Sequence, residues 1–280
     1  MNVYKPISFI LAAFIALGSA QLVANDASPV LLADGNTSAS SIPQLNLPIP
    51  RARMSWELAL DTYEQNSLRQ ARELGDYTDE TTIEAELPQS AQKGRFRLKR
   101  MFSAPKSLAF KTIDFVGDNF VKTNVIARLL QSEVDHVQKG DNSDTAITSA
   151  NYKFSYKGED VIDGQSVHAF QIKPRKKRIG LFKGKVYLDV YTGRLLRAEG
   201  RVVKSPSFFV KKIDFVQDYS QVGDFNLVSR IHSVAQARII GRTIVDITHS
   251  DFQLKPLAQH QASTESRPRT SASLDTQGYR

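Results

Sequence analysis

The sequence predicts an α+β protein in which a strongly curved antiparallel sheet has helices covering its concave face. Eight stretches alternate apolar and polar residues with the period of a half-buried strand, several of them joined by short turns containing Gly or Asp. Two other stretches repeat apolar residues at helical spacing. So many consecutive antiparallel strands in one domain must curl, because a flat sheet of that size exposes long edges. The two helices are then available for the inner side.

The N-terminal "MNVYKPISFILAAFIALGSAQ" has one early cation, Lys5, an apolar run from Ile7 to Leu17, and small residues at Gly18 and Ala20. It reads as a secretory signal peptide cut after Ala20. The run is short for a membrane-spanning helix of about 20 residues, unless an uncleaved anchor extends through Leu22 and Val23. Asn25 to Pro50 is rich in Ser, Ala, Asn and Pro, and Gln259 to Arg280 in Ser, Thr, Gln and Arg, so neither buries enough surface to offset its ordering entropy. The expected organisation is a signal peptide over 1–20, a flexible linker over 21–50, one domain over 51–257 and a disordered tail over 258–280.

Within the domain the first helix is expected from Ser55 to Leu74, with Trp56, Leu60 and Tyr63 on one face and Gly75 as its stop. "TTIEAEL" places Ile83, Ala85 and Leu87 on one side of a strand. "GRFRLKRMF" does the same with Phe96, Leu98 and Phe102, while Arg95, Arg97 and Lys99 face away. A second helix is expected from Asn124 to Val137, on the spacing of Ile126, Leu130, Val134 and Val137, ended by Gly140. The strands "YKFSYKG", "VHAFQIK", "KVYLDVYTGRLLRAEGRVV", "FVKKIDFVQDYSQVG", "LVSRIHSVAQARII" and "RTIVDITHSDFQL" follow. Tyr191-Thr192-Gly193-Arg194 is the clearest hairpin turn among them.

Composition narrows function. The chain has no cysteine, which excludes disulfides, thiolate metal sites, a Cys nucleophile and lipidation of an N-terminal Cys. The apolar fraction of 41% suffices for a packed core, and a net charge of +8 favours anionic partners. Export argues against nucleic acid as the partner of the basic run at Arg175 to Arg178. The histidines His136, His168, His232, His249 and His260 show no metal-binding or paired helical spacing, although His232 and His249 could approach on neighbouring strands. "GQSVH" around Ser166 is not a nucleophile elbow. "DNSD" at Asp141 to Asp144 lacks the rest of a calcium loop. No catalytic residue, metal or cofactor is assigned.

The series "NVIARLLQSE", "NYKFSYKGEDVIDGQSVHAFQIKPRKKRIGLFKGKVYLD", "AEGRVVKSPSFFVKKIDF" and "TIVDITHSDF" resembles periplasmic proteins of the LolA/LolB-like superfamily, outer-membrane lipoprotein-sorting proteins, from about Tyr77 to Phe252. The resemblance implies an incomplete β-barrel with helices over its opening and a hydrophobic cavity for acyl chains of a lipoprotein or lipid. Many relatives have a Trp where this chain has Phe209, and no position is matched to the functional arginine of the characterised carrier. The missing Cys separates the chain from the membrane-anchored acceptor member.

Two sets of candidate site residues follow. Leu98, Phe110, Ile126, Leu130, Val186, Leu188, Leu196, Ile213 and Phe215 are candidates for a cavity lining, with core packing the ordinary role of any one of them. Phe208 and Phe209, after the strand-interrupting Pro206, suit a cavity mouth or an inward turn into the sheet. Arg175, Lys176, Lys177, Arg178, Lys183 and Lys185 suit docking to an anionic membrane surface or acidic partner, or an ordinary solvated loop. At roughly 1 kcal/mol per cation near anionic lipid, all six supply about 6 kcal/mol. A buried 14-carbon chain supplies about 11 kcal/mol, so a cavity would hold cargo and the basic residues would steer. The expected function is a periplasmic carrier that passes acyl chains of a lipoprotein or lipid towards the outer membrane. The alternative is a periplasmic sensor or regulatory module of the same fold, bound to an inner- or outer-membrane protein.

Overall fold

The computed structural model describes residues 52–104, 106–139, 144–205, 210–238 and 240–255. The expected signal peptide, linker and C-terminal tail lie outside these residues, as do Gly140, Asp141 to Ser143, Pro206, Phe208, Phe209 and His260.

Helix α1 runs from Trp56 to Glu73, begun by Ser55, whose side chain accepts a hydrogen bond from the Leu58 N–H. Three strands follow: β1 (Tyr77–Leu87), β2 (Gln92–Ser103) and β3 (Ser107–Gly117). A helical crossover comes next, built from α2 (Asn119–Val121), a π-helical stretch (Lys122–Ile126) and α3 (Ala127–Lys139). The remaining strands form a meander: β4 (Tyr152–Ile162), β5 (Gln165–Pro174), β6 (Phe182–Asp189), β7 (Leu195–Val202), β8 (Val210–Val222), β9 (Phe225–Ala237) and β10 (Gly241–Leu254).

All of them join one antiparallel ten-stranded sheet in the order β3-β2-β1-β10-β9-β8-β7-β6-β5-β4. The last strand pairs with the first, Ile83 opposite Ile247 and Ala85 opposite Val245. The sheet does not close: β3 and β4 remain its two edges. The chain must therefore travel from one edge to the other after β3, and it does so across the inner face through α3. The architecture is the α+β incomplete barrel expected, strongly curved, with helices on the concave side.

Curvature has local causes. Glycines oppose each other at Gly94–Gly117 and Gly184–Gly200. A Cβ on Gly184 would lie 1.8 Å from the Glu199 carbonyl oxygen, and one on Gly117 2.4 Å from that of Lys93. The backbones approach at these points more closely than any side chain allows, as at a barrel corner. Register shifts interrupt the ladders of β1–β10, β2–β3, β4–β5, β6–β7 and β8–β9, each adding local bend and twist.

Two differences from expectation have physical reasons. The second helical segment starts at Asn119, five residues earlier than its periodicity indicates. Its π-helical turn brings Val121, Val125, Ile126 and Leu129 to one buried side at a spacing that a 3.6-residue template misses. Strand β3 was not expected at all. Its inward residues Leu108, Phe110 and Phe115 change parity across the irregularity at Arg97/Leu98, and most of its other residues are exposed at the sheet edge.

The inner face divides into two principal apolar clusters. Under α3 lie Ile83, Leu87, Phe96, Leu98, Ile231, Val245 and Ile247, joined by Val121, Val125, Ile126 and Leu129 from the crossover. Under α1 lie Tyr152, Phe170, Ile172, Phe182, Val186, Leu188, Leu195 and Phe215, joined by Tyr63. A third cluster, with Leu74, Tyr77, Phe102, Leu108, Val137 and Leu227, sits between them where the two helices end.

Candidate functional site

The helices are held by different means. Although α1 lies over the broad apolar floor, only Ala59 and Tyr63 are buried among its side chains. Leu60 is half-buried, Trp56 stacks on Tyr156 at 5.2 Å while remaining 37% exposed, and Leu58 and Leu68 face solvent. Its other attachments are polar and peripheral. Gln70 exchanges two hydrogen bonds with the backbone of Asn226, at 3.1 and 2.8 Å. The Glu64 carboxylate accepts from the Ser149 backbone N–H and hydroxyl. Before the helix, Met54 donates its N–H to the Val190 carbonyl, and its own carbonyl meets His168 Nε2 at 3.0 Å. Gly193, in the turn between β6 and β7, allows α1 to settle there, since a Cβ would sit 2.9 Å from the Ala59 carbonyl oxygen.

By contrast α3 is anchored by charge inside the core. Arg100, on β2 and 2% exposed, sends Nε to Glu133 Oε1 of α3 at 2.9 Å, and Nη1 to Tyr77 OH at 2.8 Å and Asp79 Oδ2 at 3.1 Å. Thr81 donates to Asp79 Oδ1 at 2.6 Å, and His249 Nδ1 approaches the same oxygen at 3.1 Å. Burial alone would raise the Asp79 pKa, but the His249 contact, the Arg100 charge and the Thr81 hydroxyl together hold it below its usual range. Burial likewise opposes the Arg100 charge, and Tyr77, Glu133 and Asp79 more than reverse this. Arg100 Nη2 lies 2.9 Å from Glu133 Oε1 without hydrogen-bond alignment and has no other partner among the described residues. Both carboxylates are thus committed to the arginine. Among the described residues no group of three His, Asp or Glu is arranged to hold a metal ion.

This cluster was missed in the sequence, yet it left a trace there. Tyr77, Asp79, Thr81 and Ile83 share one parity of β1, and Leu98, Arg100 and Phe102 share one parity of β2. Polar residues sitting in the apolar phase of a strand are the signal of a buried polar site.

The cavity beneath the C-terminal half of α1 is small, about 50 Å³, lined by Tyr63, Ser67, Gln70, Leu195, Tyr219 and Leu227 among others. Directly outside it is an open depression of about 630 Å³ around Asp189, Tyr191 and Gln221, and the two share Arg194, Tyr219 and Asn226. The Tyr219 hydroxyl between them is buried without a hydrogen-bond partner among the described residues, and burial beside Tyr63 and Tyr152 pushes its pKa well above the usual phenol value.

The candidate lining residues separate into groups. Leu98 and Ile126 are buried beneath α3, with Phe110 and Leu130 partly buried against them. Val186, Leu188 and Phe215 belong to the floor under α1. Ile213 packs with Val210 and Ala235 in a smaller cluster. Leu196 packs with Val167, Ala169 and Tyr187, whose positions alternate with those of the floor, so it lies on the opposite face of the sheet. The basic tract also divides. Arg175 donates to the Ser149 carbonyl, and Arg178 pairs with Asp144 and Asn151, so both hold the segment before β4. Lys176 and Lys177 are exposed, and Lys183 and Lys185 stand on the outer face of β6. His232 pairs with Asp246 on the outer face while His249 faces inward, so the two do not form a site.

These features define an open antiparallel half-barrel with one lightly held and one locked helix on its concave side. No family model matches the chain, and no curated protein does. Similar solved structures include a LolA superfamily protein from Nitrosomonas europaea, 10% identical, covering 72% of this chain and 94% of its own at a TM-score of 0.36. A domain of an outer membrane lipoprotein-sorting protein from Vibrio parahaemolyticus is 15% identical, covering 75% and 95%, at 0.37. A DUF1329 family protein from Desulfovibrio piger is 12% identical, covering 71% and 92%, at 0.38. The architecture rests on the strand register above, and no residue's role is taken from them.

Proposed function

We propose that the chain is an exported, periplasmic carrier that binds an acyl chain of a lipid or lipoprotein on the floor under α1 and passes it on without covalent chemistry. The observation that carries this reading is the mismatch between α1 and what it covers. An apolar floor spanning β4 to β8 is capped by a helix that buries only Ala59 and Tyr63 and is otherwise tied down by exchangeable hydrogen bonds. Ligand pockets for small molecules occupy about 300 Å³ or more. The existing space of about 50 Å³ therefore serves as a starting point, and the remaining room comes from lifting α1. Covering the floor with one tyrosine, one alanine and half-buried neighbours is worth about 5 kcal/mol, against about 11 kcal/mol for a 14-carbon chain. The exchange favours the chain. The surface depression that shares Arg194, Tyr219 and Asn226 with the cavity supplies an approach.

The test is binding of a fluorescent fatty acid, with native mass spectrometry of protein purified from the periplasm. The wild-type chain is expected to take up the probe or to carry lipid. Gln70→Ala, which loses two hydrogen bonds of about 1 kcal/mol each, should speed probe uptake by up to roughly 30-fold. A protein that emerges empty and takes up no probe, in either form, refutes the reading.

A second reading, a regulatory module that contacts a membrane-protein partner, is favoured by the tight filling of the inner face and by two sheet edges that are unpaired among the described residues. Ile113 and Val116 on β3, and Val161 on β4, are exposed there. Crosslinking in cells separates the two: transient lipoprotein adducts support the carrier, one stable protein adduct the module.

A further inference from the structure

The outer face of the sheet carries its charges in register, with opposite-sign pairs between β1 and β2, where Lys99 also has Lys111 of β3 opposite it, and a run of like-sign pairs at one level of β4 to β7. On β1 and β2 opposed residues have opposite sign: Glu80 faces Lys99, Glu84 faces Arg95, and Glu86 faces Lys93. Such pairs stabilise a solvated face. At one level of β4 to β7 the arrangement is reversed, although two residues further along β6 Lys185 still faces Glu199. Lys153 opposes Lys173, and Lys183 opposes Arg201. Continuing the β5–β6 register one step past Ile172–Gly184 sets Lys173 opposite Lys183.

Four cations on four consecutive strands therefore form one transverse row. With strands about 4.8 Å apart, the row is about 15 Å long. All four side chains are exposed. Arg201 pairs with Asp214, which also takes Lys212, and the three lysines have no ion pair among the described residues. Directly opposed like charges are destabilising. The core does not require them, because the inward neighbours Tyr152, Ile172 and Phe182 do the packing. Exposed Lys176 and Lys177 adjoin the row in the loop after β5, and Ile179 in the same loop is 44% exposed.

We infer that this row is a docking platform for an anionic lipid bilayer. The choice of partner follows from chemistry. Lysines act as point charges without the planar, two-pronged geometry that selects one shaped anion, and these stand exposed side by side on a sheet face, so they suit a layer of many headgroups. A cationic surface with one protruding aliphatic side chain matches the boundary between headgroups and acyl chains. A protein partner would call for an apolar centre to the patch, and the row has none. The inference uses the exported location of the reading above but not the cargo site under α1.

The experiment is sedimentation of the full chain with phosphatidylcholine vesicles, with and without phosphatidylglycerol, at low and high salt. Two charge-matched variants are compared with wild type: K153Q/K173Q/K183Q in the row and K93Q/K99Q/K111Q at the other end of the outer face. Wild type should bind only the anionic vesicles and release them as salt rises. At roughly fivefold per cation near anionic lipid, the row variant should lose about a hundredfold in partitioning, and the control variant should lose far less. The row variant should also melt at the wild-type temperature or above it in low salt, since repulsion is removed. K173E alone, at the centre of the row, gives a second reading should the triple variant fold poorly, with a loss of about 25-fold for two charge units. Absence of wild-type binding, equal loss in both triple variants, or retained binding by the row variants overturns the platform. Displacement of the vesicles by polyglutamate at equal charge assigns the row to acidic proteins and overturns the membrane assignment. Fatty-acid uptake by the row variant is measured in parallel, so failure of the cargo reading is distinguishable from failure of this one.

Discussion

Replacing Arg100 by Met tests whether charge fixes α3 to the sheet. Methionine keeps much of the arginine's length and fills the same space, but leaves Asp79 and Glu133 buried with no cation between them. Breaking a buried ion pair by removing one partner costs about 3–5 kcal/mol. Here one cation serves two carboxylates and the Tyr77 hydroxyl. Restored apolar packing returns a part, so the expected loss is about 4 kcal/mol at pH 7. The pH dependence is the sharper readout. In wild type Asp79 titrates below its usual range, so it contributes stability that is present above about pH 4 and is lost as pH falls through its folded value. In the variant the Arg100 charge is gone while the His249 and Thr81 contacts remain, so the Asp79 pKa rises from its wild-type value. Its cost is then present at neutral pH and disappears as the carboxyl takes up a proton. The gap between the two proteins should therefore be widest near pH 7 and narrow as the pH is lowered to about 3. Urea unfolding followed by circular dichroism, with equal slopes for both proteins, measures it. A loss below about 1 kcal/mol, or a gap flat across that range, would refute the assignment of Arg100 as the anchor of α3.

Two further substitutions probe the sheet. Tyr219→Phe removes a buried hydroxyl that has no partner, so thermal unfolding should show stability unchanged or raised by about 1 kcal/mol; a loss of that size would reveal a bound partner in the adjoining cavity. Gly184→Ala places a Cβ 1.8 Å from a carbonyl oxygen of the neighbouring strand, and backbone cannot give way as a side chain can. Destabilisation of about 3 kcal/mol or more is expected in the same urea assay, and wild-type stability would show that the strands at this corner are not so close.

The strands with strict alternation, such as Ile83-Ala85-Leu87 and Phe96-Leu98, were legible because one face is packed and the other wet, and α1 was legible from Trp56, Leu60 and Tyr63. Strand β3 and the start of the crossover were not, because an irregular register and a π-helical turn break the two periods on which such reading depends. Leu196 was placed among the candidate lining residues from its apolar character, but the irregularity at Tyr187/Leu188 sets Leu195 inward and Leu196 outward. The basic tract was visible as a run, and its division into Arg175 and Arg178, which brace a neighbouring segment, and the free Lys176 and Lys177 was not.

By itself the sequence determined which residues alternate, which repeat helically, and hence that a curled antiparallel sheet would have one apolar side and two helices to cover it. These are properties of neighbours along the chain, set by backbone geometry and the removal of apolar surface from water. Tertiary structure decided what depends on neighbours across the sheet: that β10 pairs with β1, that Arg100 meets Asp79 and Glu133, and that Lys153, Lys173, Lys183 and Arg201 stand in one row. Alternation assigns a residue to a face but not to a partner, because cross-strand energies arise between residues far apart in sequence, only after the register has been set.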